Sequence, residues 1–393
     1  MIDAFDKNNL KIIVFKINNE VFEPIGEINN FYSLICGERF CGYTSFQFSA
    51  PVNDETAELL KEGNILWYGR ESACFIESIE TSIDDNAHLV ITAKGRTLEV
   101  FLTWRIFWGK RNFSKYTPTQ LIEKAIESTL VETINTDPTD EIEKRILPFF
   151  ELQKISPQGE KIDSKQVTCD NVYDFVVEVG ETYNLGFSVN FYPREKKIVF
   201  KVDVPEDRTQ TSTTNFPVLI STDLNDILTS YYSSSIQDEK NVAWIYGEER
   251  ETETATYRVK AMTGDINLTG FERKELYVDA RDLQSTTDNP DVPLTDEEYN
   301  SLLIDRGNLK LTEYRPTKAF EATVRVDENA QYQYGIDYKK GDKITVYDAN
   351  LKVLADVTVS GFDETFTSDG HTFSLILGFE PPSLYQKVKR QFT

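Results

Sequence analysis

Histidine is almost missing from this sequence: His88 and His371 are the only two in 393 residues. Cysteine and methionine are scarce as well, at four and two. Metal sites built on His and Cys need several such ligands at close spacing. Cys36 and Cys41 are separated by four residues, Cys74 and Cys169 stand alone, and no second close pair follows. All four are expected to be small buried residues in a reducing compartment, with no metal or other cofactor. His88 borders an apolar strand pattern and His371 lies in the turn Ser368-Asp-Gly-His. No Gly-x-Ser-x-Gly elbow supports a Ser–His–Asp triad, so both read as surface or turn histidines. Gly109-Lys110 lacks the upstream glycine and the following Ser or Thr of a phosphate loop. Asp137-Pro-Thr-Asp140 and Asp288-Asn-Pro-Asp291 lack the Asp-x-Asp-x-Asp-Gly pattern of a calcium loop and read as solvated loops.

Positive charge is also short: 42 Lys and Arg face 65 Asp and Glu, for a net charge of −23. Sequence-reading nucleic-acid binding needs a basic footprint, and an acidic surface repels DNA. No apolar run approaches the roughly 20 residues of a membrane span. The start, Met-Ile-Asp-Ala-Phe-Asp, lacks the basic and apolar segments of a secretion signal. Assembly in a cytoplasm is therefore expected. What is present is core-forming material, 40% hydrophobic and 12% aromatic, in a length that suits about two to four domains.

One stretch gathers the scarce cations. Between positions 94 and 116, Lys94, Arg96, Arg105, Lys110, Arg111 and Lys115 are set against Glu99 alone, among Phe101, Trp104, Phe107, Trp108 and Phe113. Long cationic stems often cover apolar surface with the charge in water. The alternative is a docking and hinge element. A helix is predicted directly after it: Thr117 as N-cap, Pro118 at the first turn, Gln120 completing a capping box, and Leu121, Ile122, Ala125, Ile126 and Leu130 on one face.

Before that stretch the pattern is β. Strands are predicted over 10–17, 20–23, 43–48, 65–68, 74–79 and 88–93, with one short helix at 54–61 ended by Gly63. Behind it, a helix over 170–183 precedes a hairpin of 187–192 and 197–202, an α+β arrangement. Residues 205–217 read as a polar linker. Residues 227–234 and 242–246 read as a strand pair, and a hairpin with an extended segment follows to 283. A helix opened by Thr295 and Glu298 carries Tyr299, Leu302, Leu303 and Leu309 inward, with Gly307 weakening its last turns. Strands return at 319–326, 343–347, 353–359 and 373–377. The two β units are candidates for a diverged structural repeat without strong sequence similarity. Tyr332, Tyr334, Tyr338 and Tyr347 cluster around a Gly335–Asp342 turn, either closing one end of a β unit or offering exposed rings to a sugar.

Three ordered stretches together resemble the hub proteins of siphophage tails, also called tail-associated lysin or tail-tip proteins: Gly95-Arg-Thr-Leu-Glu-Val-Phe-Leu-Thr-Trp-Arg-Ile106, Gly270-Phe-Glu-Arg-Lys-Glu-Leu-Tyr-Val-Asp-Ala-Arg-Asp282 and Tyr334-Gly-Ile-Asp-Tyr-Lys-Lys-Gly-Asp-Lys-Ile-Thr-Val346. The resemblance covers nearly the whole chain and extends to the baseplate hub of contractile-tailed phages. It implies an α+β, mainly β fold with two small barrel-like domains and α+β domains between and within them. The expected boundaries are 1–106 and 205–247 with 312–393 for the barrel-like domains, and 107–204 and 248–311 for the α+β ones. It also implies a homotrimer that closes the distal tail tube of the virion and opens for DNA ejection. Expected partners are a distal tail protein ring, the tape-measure protein and receptor-binding proteins, with DNA passing unbound. Many relatives carry a C-terminal hydrolase domain. Here only Phe379–Thr393 follow the last strand, so no enzyme activity is expected. Arg96, Trp104, Arg105, Trp108 and Arg111 are the interface candidates. The alternative function is a carbohydrate-binding or cell-wall-active β protein.

Overall fold

The computed structural model describes residues 10–83, 87–131, 145–224, 226–251, 256–285, 294–325, 330–367 and 370–378. The expected loops at 135–143 and 285–293, with both calcium-like segments, lie wholly or largely outside these residues, as does the tail after Gly378.

The first unit holds β1 (Ile12–Ile17), β2 (Phe22–Ile28), β3 (Ser33–Arg39), β4 (Ser45–Pro51), α1 (Asp54–Leu59), β5 (Asn64–Trp67), β6 (Cys74–Ile83) and β7 (Leu89–Thr97). Asn18 shapes the β1–β2 turn by accepting from the Glu20 and Val21 amides. Asn53 and Thr56 cap α1 reciprocally. Alternating inward residues such as Ile12, Val14, Phe46, Phe48 and Ile76 fill its core.

A middle unit follows: β8 (Lys110–Tyr116), α2 (Pro118–Ile126), β9 (Phe150–Gln153), β10 (Ile162–Thr168), α3 (Val172–Tyr183), β11 (Gly186–Tyr192) and β12 (Lys197–Asp203). The predicted capping box of Thr117 and Gln120 is present. A core of α2, α3 and the β11–β12 hairpin takes in Leu98, Val100 and Leu102 from the stretch before it.

The second β unit comprises β13 (Asp207–Arg208), β14 (Leu219–Ser221), β15 (Ile227–Ser235), then, after an insertion, β19 (Thr317–Val324), β20 (Lys343–Asp348), β21 (Val353–Thr367) and β22 (Gly370–Gly378). The insertion is β16 (Val242–Glu251), β17 (Thr256–Gly264), β18 (Glu275–Asp279) and α4 (Asp296–Glu313), with its own core around Ile245, Val278, Tyr299 and Leu303.

One sheet runs through both β units in the order β15-β19-β22-β21-β3-β4-β7-β6-β5-β1-β2, with β20 branching from β21. The fold is mainly β. Neither unit closes into a barrel among the described residues, so the barrel-like domains are open sheets joined edge to edge. The join is β3 on β21, in antiparallel register from Arg39↔Gly361 to Ser33↔Thr367.

The two units repeat one plan. In chain order, β3, β4, β5, β6 and β7 correspond to β15, β19, β20, β21 and β22. In each set the first strand pairs with the second, the second with the fifth, the fifth with the fourth and the fourth with the third. Each fourth strand carries a bulge, between Ile76 and Ser78 in β6 and between Val359 and Gly361 in β21. The insertion enters where the first unit has only the short loop 40–44.

Several expectations need correction. Residues 227–234 and 242–246 do not pair: β15 lies on β19, whereas β16 lies between β17 and β18 in a separate sheet. β3 was not anticipated, because Gly37 interrupts a short apolar alternation. A Cβ at Gly37 would meet the Phe362 carbonyl oxygen at 2.3 Å, so close strand approach requires the glycine. The supposed linker contributes Asp207 and Arg208 to a ladder with β20. Helix α4 continues past Gly307 to Glu313, because that glycine lets the helix sit against Ile245 and Thr263. Cys36 and Cys74 are buried as expected, but Cys41 is half-buried and Cys169 exposed. His371 is the second residue of strand β22 rather than part of a turn.

Candidate subunit interface

The cation-rich stretch divides into three parts. Residues up to Thr97 finish β7, Leu98–Trp104 form a short helical turn, and Lys110 onward forms β8 against β10. Burial of Leu98, Val100 and Leu102 fixes the helical turn to the middle unit. It leaves Trp104, Ile106 and Trp108 between 43% and 48% exposed. Trp104 is held by an edge contact with Phe75 at 5.2 Å and a tilted contact with Phe101 at 4.6 Å. This is an ordered apolar ridge in water, the kind of surface a partner covers.

The arginines have individual partners. Arg96 donates to both oxygens of Glu77 at 2.8 and 2.5 Å and lies over the Tyr43 ring at 4.7 Å. The Glu77 hydrogen bonds push its pKa further up. Arg105 donates to the Arg145 carbonyl at 2.7 Å and to that of Trp104 at 3.1 Å. Burial, with Arg145 nearby, lowers its pKa from the usual guanidinium value. Arg111 sits in β8 opposite Val167. Glu99, the lone acid of the stretch, is buried and accepts from the Val189 amide at 3.1 Å, so it ties β11 to the helical turn Leu98–Trp104 instead of neutralising surface cations. The structure thus groups Trp104, Arg105 and Trp108 around one ridge and sets Arg96 on the sheet.

A second polar cluster lies at the β3–β21 join, and sequence patterning did not reveal it. Glu38 accepts from Ser72 at 2.7 Å and pairs with Lys340 at 3.0 Å. Glu364, fully buried, pairs with Arg70 at 2.5 Å and lies 2.7 Å from His371 Nε2. Arg39 bonds Asp363 at 2.8 Å. Each contact joins a first-unit residue to a second-unit residue except those of Ser72 and His371. His371 stacks on Phe366 at 4.4 Å, and Phe366 itself belongs to the first unit's core. The one legible signal was the acid–cation composition of residues 36–40 and 339–343, which has no periodicity to place it.

The tyrosines offered as exposed rings are mostly packing residues. Tyr338 is buried, and Tyr334 wedges against Phe362 and Phe373 at 5.1 and 5.3 Å while accepting from the Lys340 amide. They hold the loop that delivers Lys340. A cleft of about 630 Å³ between α3 and α4 is lined by Lys165, Tyr183, Asp305 and Arg315 among others. Among the described residues no cluster of three or more His, Cys, Asp or Glu is placed to hold a metal. No helix among them is long and apolar enough to cross a membrane.

The family described as Siphovirus ReqiPepy6 Gp37-like protein matches residues 14–379. The chain belongs to that family. The fold of this Gp37-like chain is similar to that of the 43 kDa tail protein of prophage MuSo2 from Shewanella oneidensis, at 11% identity and a TM-score of 0.53, over 93% of this chain and 98% of that one. It is similar to prophage tail protein gp18 from Listeria monocytogenes EGD-e, at 12% identity and TM-score 0.52, over 97% and 98% of the two chains. A tail protein from Neisseria meningitidis MC58 aligns at 12% identity and TM-score 0.50, over 94% and 97%. No curated protein matches the Gp37-like chain in sequence. A siphophage family and a fold shared with phage tail proteins are what the three ordered motifs led us to expect.

Proposed function

We propose that this chain is a structural virion protein of the siphophage tail tip or baseplate. Three copies form a hub that closes the distal end of the tail tube and opens for DNA ejection, without catalytic activity of its own. The repeated strand plan carries this reading. Two like units per chain, joined edge to edge, supply six like positions from three chains, which suits a six-fold tube above. The middle unit and the insertion form the cap below, with the insertion starting at Val242, where β16 joins its own sheet. The first unit faces the distal tail ring, with the tape-measure protein above and receptor-binding proteins at the side. The Trp104–Trp108 ridge lies at a subunit or domain interface, where Trp and Arg are typical anchors. A net charge of −23 lets DNA pass without sticking.

Gold-labelled antibody against the chain tests its place on virions imaged by electron microscopy. Label at the tail tip supports the hub. Label absent from tails, together with turnover of purified cell wall, supports the cell-wall alternative instead.

A further inference from the structure

The join inside the chain is a template for a contact that the same chain leaves unmade. On β21, residues before the bulge pair with β20, and Gly361–Thr367 beyond it are covered by β3 in seven antiparallel pairs. The counterpart of β21 is β6. Its first residues pair with β5, through Ile65↔Phe75 and Leu66↔Cys74. Beyond the bulge, Ser78–Ile83 have β7 on one edge and, among the described residues, no strand on the other. The counterpart of β3 is β15, which has β19 on one edge and no described strand on the other. One chain therefore shows both halves of the join a second time, each without its mate.

The side chains match the strand plan. Phe366 is 1% exposed and enters the core of the neighbouring unit. Ile83, at the matching place after the bulge in β6, is 68% exposed. On β15 and just after it, Leu228, Tyr231 and Ile236 are between 58% and 62% exposed.

Charge identifies the occupant. Copies of a chain with net charge −23 repel one another. They approach most easily through surfaces without net charge. From Ile227 to Gln237 there is no charged residue, proline or glycine. Edge strands that must stay single are blunted by charge or proline. The opposite terminal strand, β2, has Glu23, Pro24 and Glu27, whereas β15 has no such protection. On β6, Glu77 is paired with Arg96 at 2.5 Å and Glu80 with Lys94 at 2.6 Å, so its acids are neutralised too.

We propose that β15 of one copy lies antiparallel along Ser78–Ile83 of β6 in the next copy, repeating between chains the join that β3 makes with β21 within one. Carrying the internal register across sets Ser235 against Ser78 and Tyr231 against Ser82, with Ile83 of the next copy entering the second unit of the copy that supplies β15, as Phe366 enters the first unit within one chain. The contact is head-to-tail, so successive copies close into a ring when the rotation allows. The inference rests on the ring of copies proposed above and assigns its strands.

A cysteine pair tests it. Opposed residues on antiparallel strands have Cβ atoms ~4.5–5.5 Å apart, close to disulfide reach. Ser82→Cys and Tyr231→Cys, in a Cys169→Ser background to remove the exposed thiol, are expected to give covalent trimers on mild oxidation. Each single variant is expected to stay uncrosslinked, and a mixture of the two is expected to form covalent dimers. A non-reducing gel reads the result, beside light scattering of the unoxidised sample. Trimer mass without crosslinks overturns the strand assignment and leaves the hub intact. Monomer mass without crosslinks overturns both. Ile83→Lys is a second probe that touches no buried position: it is expected to raise the concentration needed for assembly about tenfold or more, equivalent to ~1.4 kcal/mol, with an unchanged circular dichroism spectrum. Unaltered assembly of Ile83→Lys contradicts the proposal.

Discussion

Lys340 Nζ lies 3.0 Å from Glu38 Oε2, so the loop before β20 in the second unit is pinned to β3 in the first. The side chains are only 12% and 18% exposed. Burial alone would raise Glu38, but Lys340, aided by the Ser72 hydroxyl, holds it below the usual carboxylate value. Burial would likewise lower Lys340, and Glu38 outweighs it and raises the ammonium above its ordinary value. Removing one member of such a pair leaves a buried charge alone.

Lys340→Met is therefore expected to destabilise the chain by about 3 kcal/mol at neutral pH, the low end for a broken buried pair. Urea denaturation measures this. The depressed carboxylate contributes stability above its unfolded value of ~4.3, lost as pH falls through the lower folded value. The raised ammonium contributes below ~10.4, lost as pH rises through the higher folded value. The deficit of Lys340→Met should then hold steady from about pH 5 to 10 and shrink in stronger acid. A deficit constant down to pH 2 contradicts the role given to the pair.

Glu99 makes the opposite case. Burial raises its pKa, with Lys340, Thr97 and the Val189 amide only partly offsetting it. A raised carboxyl costs stability increasingly as pH climbs above its unfolded value. Glu99→Gln keeps an acceptor for Val189 and removes the charge. It should match the parent near pH 4 and be the more stable of the two at pH 8, as judged by thermal melts across that range.

Trp104→Ala with Trp108→Ala removes an exposed ridge without opening a core. The double variant should unfold within about 1 kcal/mol of the parent, as surface changes do, yet lose trimer assembly or incorporation into tails. Normal assembly would place the interface elsewhere.

Gly307→Ala is expected to destabilise despite the better helix propensity of alanine. The new Cβ would stand 2.6 Å from Ile245 Cδ1 and 2.8 Å from Thr263 Cγ2. Overpacking of this kind costs about 1–3 kcal/mol, more than the ~1 kcal/mol that helix propensity returns. A stabilised Gly307→Ala would show that α4 can move off its sheet.

These residues also show where sequence reading ran out. Helices α2 and α4 were legible because Thr117 with Gln120 and Thr295 with Glu298 are local capping pairs. The β11–β12 hairpin was legible because a Pro193–Lys196 turn separates two apolar runs. Strand partners were not, because adjacency in the chain misleads when an insertion intervenes: β15 pairs across α4 with β19. Gly307 reads as a weak point of its helix and Gly37 carries no local signal, yet both are close-approach positions visible only once a neighbour is in place. The ridge at Trp104–Trp108 announced itself by composition, whereas the Glu38–Lys340 pair spans 302 positions of chain and has no local signature.

The most direct test of the account is the absolute mass of the purified full-length chain, by light scattering over a range of concentrations. The account predicts a species at three times the 45.1 kDa chain mass. A strict monomer or dimer, alone and with the distal tail protein added, would contradict it.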